Sequence, residues 1–264
     1  MNRMISTIKP RLPRPAISIA REVRYRSKAA YSLCQSAIEA VAPQTIASGI
    51  AAPPPALRLR VHGNSSLSDF IATGKTIAEN VSGILQAQNF SPGKVLDFGC
   101  GCGRVITYLH DPVPAEYTGV DVDSEVIEWS QRNIRFANFA VGPLQPPLPF
   151  ADGAFDFIFT ISVFSHLDET HCGMWARELT RLLSPNGLLL ITTIGQPCFP
   201  PEMTGEFRFY PAQKTSWFAA NQCEWYGTTC MTVRYAASFF SGLRLVGHLE
   251  QGINHHQDAI LFRR

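Results

Sequence analysis

Mostly apolar runs of strand length alternate with amphipathic segments through the middle of this sequence. The runs lie at 95–98, 117–121, 137–141, 155–163 and 188–194. Strands without a polar face are typical of parallel sheets that helices cover on both sides. The intervening segments are 104–110, 124–135 and 168–183. Apolar residues recur in them at helical spacing, most clearly in 168–183. The alternation therefore predicts a doubly wound α/β domain.

Further elements are predicted on both sides of this alternation. An apolar stripe and a Ser-Pro-Gly stop predict a helix over 66–88. At the other end we expect a helix over 232–240 and two closing strands, 243–249 and 258–262, that form a hairpin. Residues 196–230 interrupt the pattern with prolines and many aromatic side chains. We interpret 196–230 as an insertion that packs over one end of the sheet, either as core or as a wall of a binding pocket.

The N-terminal segment has a different character from the rest of the chain. Residues 16–42 carry apolar residues at loosely helical spacing, and the prolines within 51–56 predict a stiff linker that no helix crosses. We therefore divide the chain into an arm with helices, 1–52, and a main domain, 53–264.

Charge is distributed unevenly between the arm and the remainder. The net charge is +2, but residues 1–28 carry eight basic side chains and one acidic one, so the remainder is acidic. An acidic body disfavours a groove for duplex nucleic acid. The basic segment 1–28 is suited to contact with a membrane surface or a phosphate-rich partner.

Cysteine usage and hydropathy limit the location and the metal chemistry of the chain. Seven cysteines occur without a CxxC spacing, which favours free thiols in a reducing compartment over disulfides or a zinc site. No run of 18 apolar residues is present, and an apolar secretory signal is missing from 1–20. We expect a cytoplasmic protein that holds no metal and can lie at a membrane surface.

A glycine-rich turn follows the first strand of the alternation, in the sequence Asp97-Phe98-Gly99-Cys100-Gly101-Cys102-Gly103-Arg104. Glycine at every second position lets the backbone turn sharply and lets a ligand lie against the main chain. The nicotinamide fingerprint GxGxxG fails because its last glycine would fall on Arg104, and no P-loop lysine follows. We expect Arg104 to pair with an acidic residue or to face solvent.

A second acidic residue, Asp121, ends the next strand. In doubly wound sheets, a carboxylate at this strand end accepts hydrogen bonds from the hydroxyls of a nucleotide ribose. Asp97, directly before the glycines, supplies negative charge that suits a cationic group. The combination fits a sulfonium amino acid attached to a nucleoside better than a pyrophosphate.

These residues resemble the motifs of class I S-adenosylmethionine-dependent methyltransferases. The resemblance includes 95–103 and 117–121, continues through 147–156, 162–167 and 181–189, and is strong over 94–195. It implies a Rossmann-like, mostly parallel seven-stranded sheet with an antiparallel C-terminal hairpin. It also implies S-adenosylmethionine as cofactor and methyl transfer as activity.

The resemblance assigns roles to individual residues. Backbone groups of the glycine loop would face the methionine part, Asp97 its amino group, and Asp121 the ribose. The implied cofactor-binding residues are Asp97, Gly99, Cys100, Gly101, Gly103, Asp121, Val122 and Ser162. The segment that usually contacts the adenine lacks an acidic residue here, so Gln145 or a backbone group takes that place.

His166 is the candidate catalytic base, because it follows the fourth strand, whose carboxyl end borders the cofactor crevice. A structural role for this histidine is the alternative. We interpret His62 first as a solvated loop residue and second as a cap on the pocket. His255 and His256 are interpreted first as polar residues at a strand end and second as substrate contacts.

Several acceptors and functions are compatible with the sequence. The Asn/Asp-Pro-Pro-Tyr motif of methyltransferases that act on nucleic-acid bases is missing after strand four, where the chain has 160–163. The prediction is transfer to an oxygen or nitrogen of a small-molecule, sugar or lipid-linked acceptor. The alternatives are a non-catalytic protein that binds S-adenosylmethionine and, more weakly, a nicotinamide oxidoreductase.

Overall fold

The computed structural model describes residues 27–28, 30–32, 34–35, 44–212 and 224–264. Its strands, in chain order, are β1 Lys94–Phe98, β2 Glu116–Asp121, β3 Ala137–Val141, β4 Phe155–Thr160, β5 Leu183–Thr193, β6 Phe207–Pro211, β7 Gly227–Met231, β8 Arg244–Ile253 and β9 Gln257–Arg263. The helices are α1 Pro55–His62, α2 Leu67–Ala87, α3 Ile106–Leu109, α4 Ser124–Asn133, α5 Glu169–Leu182 and α6 Val233–Phe239.

Seven of these strands form one sheet, in the spatial order β3-β2-β1-β4-β5-β9-β8. Strands β1 to β5 are parallel, and β9 pairs antiparallel with both β5 and β8. The predicted doubly wound sheet with an antiparallel C-terminal hairpin is confirmed. Because the chain leaves β1 first toward β2 and later toward β4, a crevice opens where the carboxyl ends of β1 and β4 diverge.

Alternation along the central strands sends neighbouring side chains to opposite faces. Val95 packs into the core cluster under α2, whereas Leu96 packs into the cluster under α5. In β4, Phe157 and Phe159 share the first cluster, and Ile158 belongs to the second. Each face of the sheet is therefore sealed by helices, and the polar groups of a site are confined to the strand ends.

Hydrogen-bonding side chains fix the starts of three helices at the predicted positions. Ser66 caps α2 by accepting from Asp69 N at 3.3 Å, and Asp168 caps α5 by accepting from His171 N at 2.8 Å. Thr232 caps α6 in the same way through Tyr235 N. Such caps satisfy backbone N–H groups that have no partner within the helix.

Three expectations about element limits are wrong. The linker expected over 51–56 is shorter, because α1 begins at Pro55. Pro55 takes the first helical position, where a missing N–H costs nothing. The fourth strand ends at Thr160, not at residue 163, because 161–163 bend away from the sheet. The fifth strand begins at Leu183, within the predicted helix end and turn.

The insertion contributes a second, two-stranded antiparallel sheet formed by β6 and β7. Residues 213–223 of the insertion and most of the predicted arm, 1–26 and 36–43, lie outside the described residues. The described residues between 27 and 35 are helical. The division at residue 52 stays a prediction. In the part of the chain that is described, no helix has the length and apolar character needed to cross a membrane.

Candidate functional site

A cavity of about 560 Å³ lies at the carboxyl ends of β1, β2 and β4. Its size is within the range of small-molecule sites, and most of its wall is apolar with a few polar groups. Of the predicted cofactor-binding residues, seven line this cavity: Asp97, Gly99, Cys100, Gly101, Asp121, Val122 and Ser162. His166 lines it as well.

The glycine loop adopts a conformation that requires glycine. Gly99 has φ +82°, and a Cβ at this position would lie 2.3 Å from Val163 Cγ2. Its N–H donates to Val120 O at 2.8 Å, which ties the loop to β2. Gly99 therefore serves both the turn and the close approach of 161–163.

Gly103 does not line the cavity, which corrects the expectation that it contacts the cofactor. Its φ is +63°, and a Cβ there would lie 2.7 Å from Ile134 Cδ1 and 3.2 Å from the Phe139 ring. Glycine is needed at this position because α4 and β3 pack against the loop.

Asp97 is a buried carboxylate with an unused hydrogen-bonding atom. Its side chain is 2% exposed, and Oδ2 has no partner among the described residues. Burial raises the pKa of this carboxyl well above its usual range, and the neighbouring Asp121 adds to the rise. A buried polar oxygen without a donor is costly. A cationic ligand group in the cavity would supply that donor.

Asp121 joins the glycine loop to the end of β2. Its Oδ2 accepts from Gly101 N at 2.8 Å, and its Oδ1 accepts from Asp123 N at 3.0 Å. Burial raises the pKa of the Asp121 carboxyl, while these two N–H donors oppose the rise. Each oxygen retains a further lone pair. Asp121 is therefore held rigidly at the cavity with accepting capacity to spare.

His166 is held in one tautomer by the insertion. Its Nδ1 lies 2.7 Å from Gly227 O, and because a carbonyl only accepts, Nδ1 carries the proton and Nε2 the lone pair. Tyr226 stacks on the imidazole at 4.9 Å. Burial lowers the pKa of His166, although the Gly227 bond opposes this. The arrangement provides a neutral histidine with an accepting nitrogen.

Ser162 belongs to a hydrogen-bonded network that supports the loop before His166. Ser162 has φ +62°; its N–H donates to Thr192 Oγ1 at 2.8 Å and its Oγ donates to Gln257 Oε1 at 3.0 Å. Gln257 Nε2 also donates to Ser165 Oγ at 3.2 Å. Sequence spacing alone did not identify Gln257, since it lies on β9.

The insertion brings aromatic side chains to the cavity. Trp225 and Tyr226 line it, and the segment that contains them runs antiparallel to 165–168. Asp168 N donates to Trp225 O at 3.0 Å, and Gly227 N donates to His166 O at 2.8 Å. The described part of the insertion is thus a wall of the site, the second of the two roles considered from the sequence.

Arg104, directly after the glycine loop, and His62, the last residue of α1, meet at the cavity. Among the described residues Arg104 pairs with no acidic side chain: its guanidinium donates to His62 Nδ1, and both residues line the cavity. His62 Nε2 in turn lies 2.8 Å from Asp69 Oδ2, so His62 is not a solvated loop residue. This contact joins residues 42 positions apart, for which the sequence carries no local signal.

Of the remaining candidate residues, some line the cavity and others do not. Gly142, Pro143 and Leu144 line the cavity after β3, whereas Gln145 does not. His256 lines the cavity and His255 does not. Across the described ranges, no cluster of three or more His, Cys, Asp or Glu side chains has the arrangement of a metal site.

Comparison with known proteins finds similarity to methyltransferases over the central part of the chain. Residues 96–191 match the family model described as a methyltransferase domain. Over 151 residues, the chain is 30% identical to a malonyl-[acyl-carrier protein] O-methyltransferase of Legionella pneumophila, a match that covers 56% of this chain and 49% of that protein. A fatty-acid O-methyltransferase of Mycolicibacterium smegmatis is 34% identical over 131 residues, 48% of this chain and 47% of that protein. The chain thus spans about half the length of these curated relatives.

Solved structures show the same fold at low sequence identity. A Burkholderia thailandensis 1,6-didemethyltoxoflavin-N1-methyltransferase, determined with bound 1,6-didemethyltoxoflavin and S-adenosylhomocysteine, has a TM-score of 0.53 and 20% identity, and the match covers 84% of this chain and 98% of that one. The Pyrococcus horikoshii protein PH0226 has a TM-score of 0.54 and 16% identity, covering 78% of this chain and 95% of that one.

Proposed function

We propose that this chain, which belongs through residues 96–191 to the class I S-adenosylmethionine-dependent methyltransferases, methylates a hydroxyl oxygen of a small, partly apolar acceptor. The observation that carries the proposal is the position of His166, whose Nδ1 is bound to Gly227 O at the wall of a cavity that Asp97 and Asp121 also line. A base beside a cofactor cavity is needed for a protonated acceptor, and a hydroxyl is such an acceptor.

The chain's own residues fit S-adenosylmethionine. The unpartnered Asp97 oxygen suits the cationic amino group, and the spare lone pairs of Asp121 suit the ribose hydroxyls. The backbone at Gly99 and Gly101 borders the space for the methionine part, while Val122 and 142–144 border that for the adenine. When bound, the cofactor supplies a methyl group already activated on a sulfonium.

His166 has a direct chemical role in this proposal. Its Nε2 would remove the hydroxyl proton while the acceptor oxygen takes the methyl group that the bound cofactor would supply by breakage of its carbon–sulfur bond, whose electron pair would remain on sulfur. The walls of the cavity align the oxygen with that bond and exclude water. Alignment of this kind is worth about 7–11 kcal/mol in favourable cases.

The acceptor is proposed from the cavity wall and from the relatives. Trp175, Trp225, Tyr226 and Leu144 give the wall an apolar and aromatic character that suits a ring or an acyl chain. Two curated relatives are named O-methyltransferases, which supports oxygen over nitrogen. A small-molecule or lipid-linked hydroxyl compound is therefore favoured, and a sugar is less suited to this wall.

A methyl-transfer screen tests this proposal. The full chain would be incubated with radiolabelled S-adenosylmethionine and a panel of phenols, hydroxylated lipids, fatty acids and amines, after calorimetry has measured S-adenosylhomocysteine affinity. Label in an ether product supports the proposal. Tight binding of S-adenosylhomocysteine without transfer to any acceptor would favour the alternative of a non-catalytic binding protein.

We also propose a cytoplasmic location with contact between residues 1–28 and an anionic membrane surface. Eight basic side chains in this segment provide the attraction, and an apolar acceptor would be encountered at such a surface.

A further inference from the structure

We propose that Arg104, oriented by His62, binds the methionine carboxylate of S-adenosylmethionine, and that it forms with Asp97 a site for a zwitterion. The inference rests on the proposed function, because it concerns the same cofactor. It assigns a binding role to Arg104 and a positioning role to His62, neither of which the sequence motif gives.

Arg104 has the position of a ligand-binding cation. Its side chain lines the cavity and lies against Phe70, with the guanidinium carbon 5.7 Å from the ring centroid. Within the described ranges, no carboxylate lies within ion-pair distance of this guanidinium, and its hydrogen-bond partner is the imidazole of His62. Burial lowers the pKa of Arg104, which reflects the cost of holding the charge there. An anionic ligand group would offset that cost.

Asp97 supplies the opposite charge in the same part of the cavity. The charge of Arg104 lowers the pKa of Asp97 against the stronger effect of burial, and Asp97 raises the pKa of Arg104. Among the described residues no salt bridge joins the two groups; Asp97 Oδ2 has no hydrogen-bond partner there, and one of the five guanidinium N–H groups of Arg104 donates to His62. A ligand with an ammonium and a carboxylate on one carbon would satisfy both groups.

His62 fixes the direction of the guanidinium. A guanidinium cannot accept, so Nδ1 of His62 accepts from Arg104, and its protonated Nε2 donates to Asp69. Asp69 also accepts from Asn64 Nδ2 at 2.7 Å, which holds the carboxylate in place. His62 is therefore a positioning residue, and Arg104 is the group that touches the ligand.

Binding of two ligands separates this role from a structural one. Calorimetry would measure the Kd of S-adenosylhomocysteine and of decarboxylated S-adenosylhomocysteine, which differs only in lacking the carboxylate. We expect Arg104→Gln to weaken S-adenosylhomocysteine binding by about 10- to 100-fold, the range for a charge-assisted hydrogen bond, and to leave the decarboxylated ligand within about twofold of wild type.

The positioning role of His62 is tested with the same ligands. His62→Ala should weaken S-adenosylhomocysteine binding selectively, and His62→Gln should restore part of it because an amide oxygen can accept from Arg104. Arg132→Gln is the matched control, since Arg132 is exposed and paired with Glu128 on α4. Thermal unfolding of every variant would establish that the domain remains folded.

The outcomes test the carboxylate assignment and the proposed function separately. Equal weakening of both ligands by Arg104→Gln, or no weakening of either, would overturn the carboxylate assignment and leave the proposed function intact. Failure of the wild-type chain to bind S-adenosylhomocysteine would overturn the proposed function itself.

Discussion

The imidazole of His166 can accept a proton only while its Nε2 keeps a lone pair. The Gly227 carbonyl takes the Nδ1 proton, and burial disfavours the charged imidazolium. We expect His166→Ala to lower kcat by about 10²- to 10⁴-fold, the usual contribution of a positioned base. The Kd of S-adenosylhomocysteine should stay unchanged. The measurement is steady-state kinetics on the acceptor identified by the screen.

His110→Ala is the control for this substitution, because His110 is part-exposed and stacks on Phe136 outside the cavity. If the His166 variant keeps transfer within a few-fold of wild type, His166 is not the base.

The protonation of His166 also determines how kcat/KM should fall at low pH. Burial lowers the pKa of His166 below that of an exposed histidine, and the neutral form is the active one. As pH falls through that lowered pKa, Nε2 becomes protonated, and log kcat/KM should fall with a slope of about one per pH unit. A limb centred above the usual pKa range of histidine, or one that persists in the His166→Ala variant, would contradict the assignment.

Residue-scale predictions from the sequence succeeded where a motif lies in one segment. Asp97, Gly99 and Gly101 were placed at the cavity because a strand, a turn and a helix follow each other directly. The Arg104–His62 contact joins the glycine loop to α1, and local pattern contains no information about such a pairing. Gln257 was missed for the same reason, since it reaches Ser162 from β9.

At the scale of elements, the turn after β1 depends on glycine for two separable reasons. Gly99 has a positive φ and no room for a Cβ beside Val163, whereas Gly205 has a φ of +86° with no atom within 4 Å of a Cβ. Gly205→Ala should lower the free energy of unfolding by about 1–2 kcal/mol, the cost of the left-handed conformation for alanine. Gly99→Ala should lower the free energy of unfolding by about 1–3 kcal/mol more than that, because its methyl group overpacks against Val163.

Chemical denaturation of both variants measures these differences in the free energy of unfolding. Gly99→Ala should also lose S-adenosylhomocysteine affinity, and Gly205→Ala should not. Equal destabilisation of the two variants would show that the contact with Val163 is not limiting.

Element limits were predictable where caps are encoded and unpredictable where tertiary contacts decide. Ser66 and Asp168 predicted the starts of α2 and α5 to within one residue. The prolines at 53–55 indicated a linker, yet they place Pro54 before α1 and Pro55 at its first position. The apolar run 155–163 continues past β4 because Ile161 and Val163 face the site and the loop, which periodicity cannot distinguish from strand.

At the scale of the whole molecule, alternation of strands and helices was sufficient to predict the sheet, because each face is sealed by its own apolar cluster. The contacts that hold the insertion were not predictable, since the pairing of 224–229 with 165–168 joins residues distant in sequence. Membrane contact through 1–28 remains a prediction from charge alone.

Removal of residues 2–26 tests that contact and spares Lys28, which donates to Gly63 O. The full chain should sediment with vesicles that contain phosphatidylserine and dissociate as salt increases, because attraction to an anionic surface is screened. The shortened chain should remain in solution with S-adenosylhomocysteine affinity unchanged. Equal sedimentation of both chains, or binding to neutral vesicles, would contradict the proposal.

The most direct test of the whole account is the affinity of S-adenosylhomocysteine for the Asp121→Ala variant. Asp121 links the glycine loop to β2 and is proposed to hold the ribose. With the exposed Asp111→Ala variant as control, calorimetry should show a Kd at least about tenfold weaker for Asp121→Ala, as expected for loss of charge-assisted hydrogen bonds. A Kd equal to that of the wild-type chain would contradict the cofactor site proposed for this cavity.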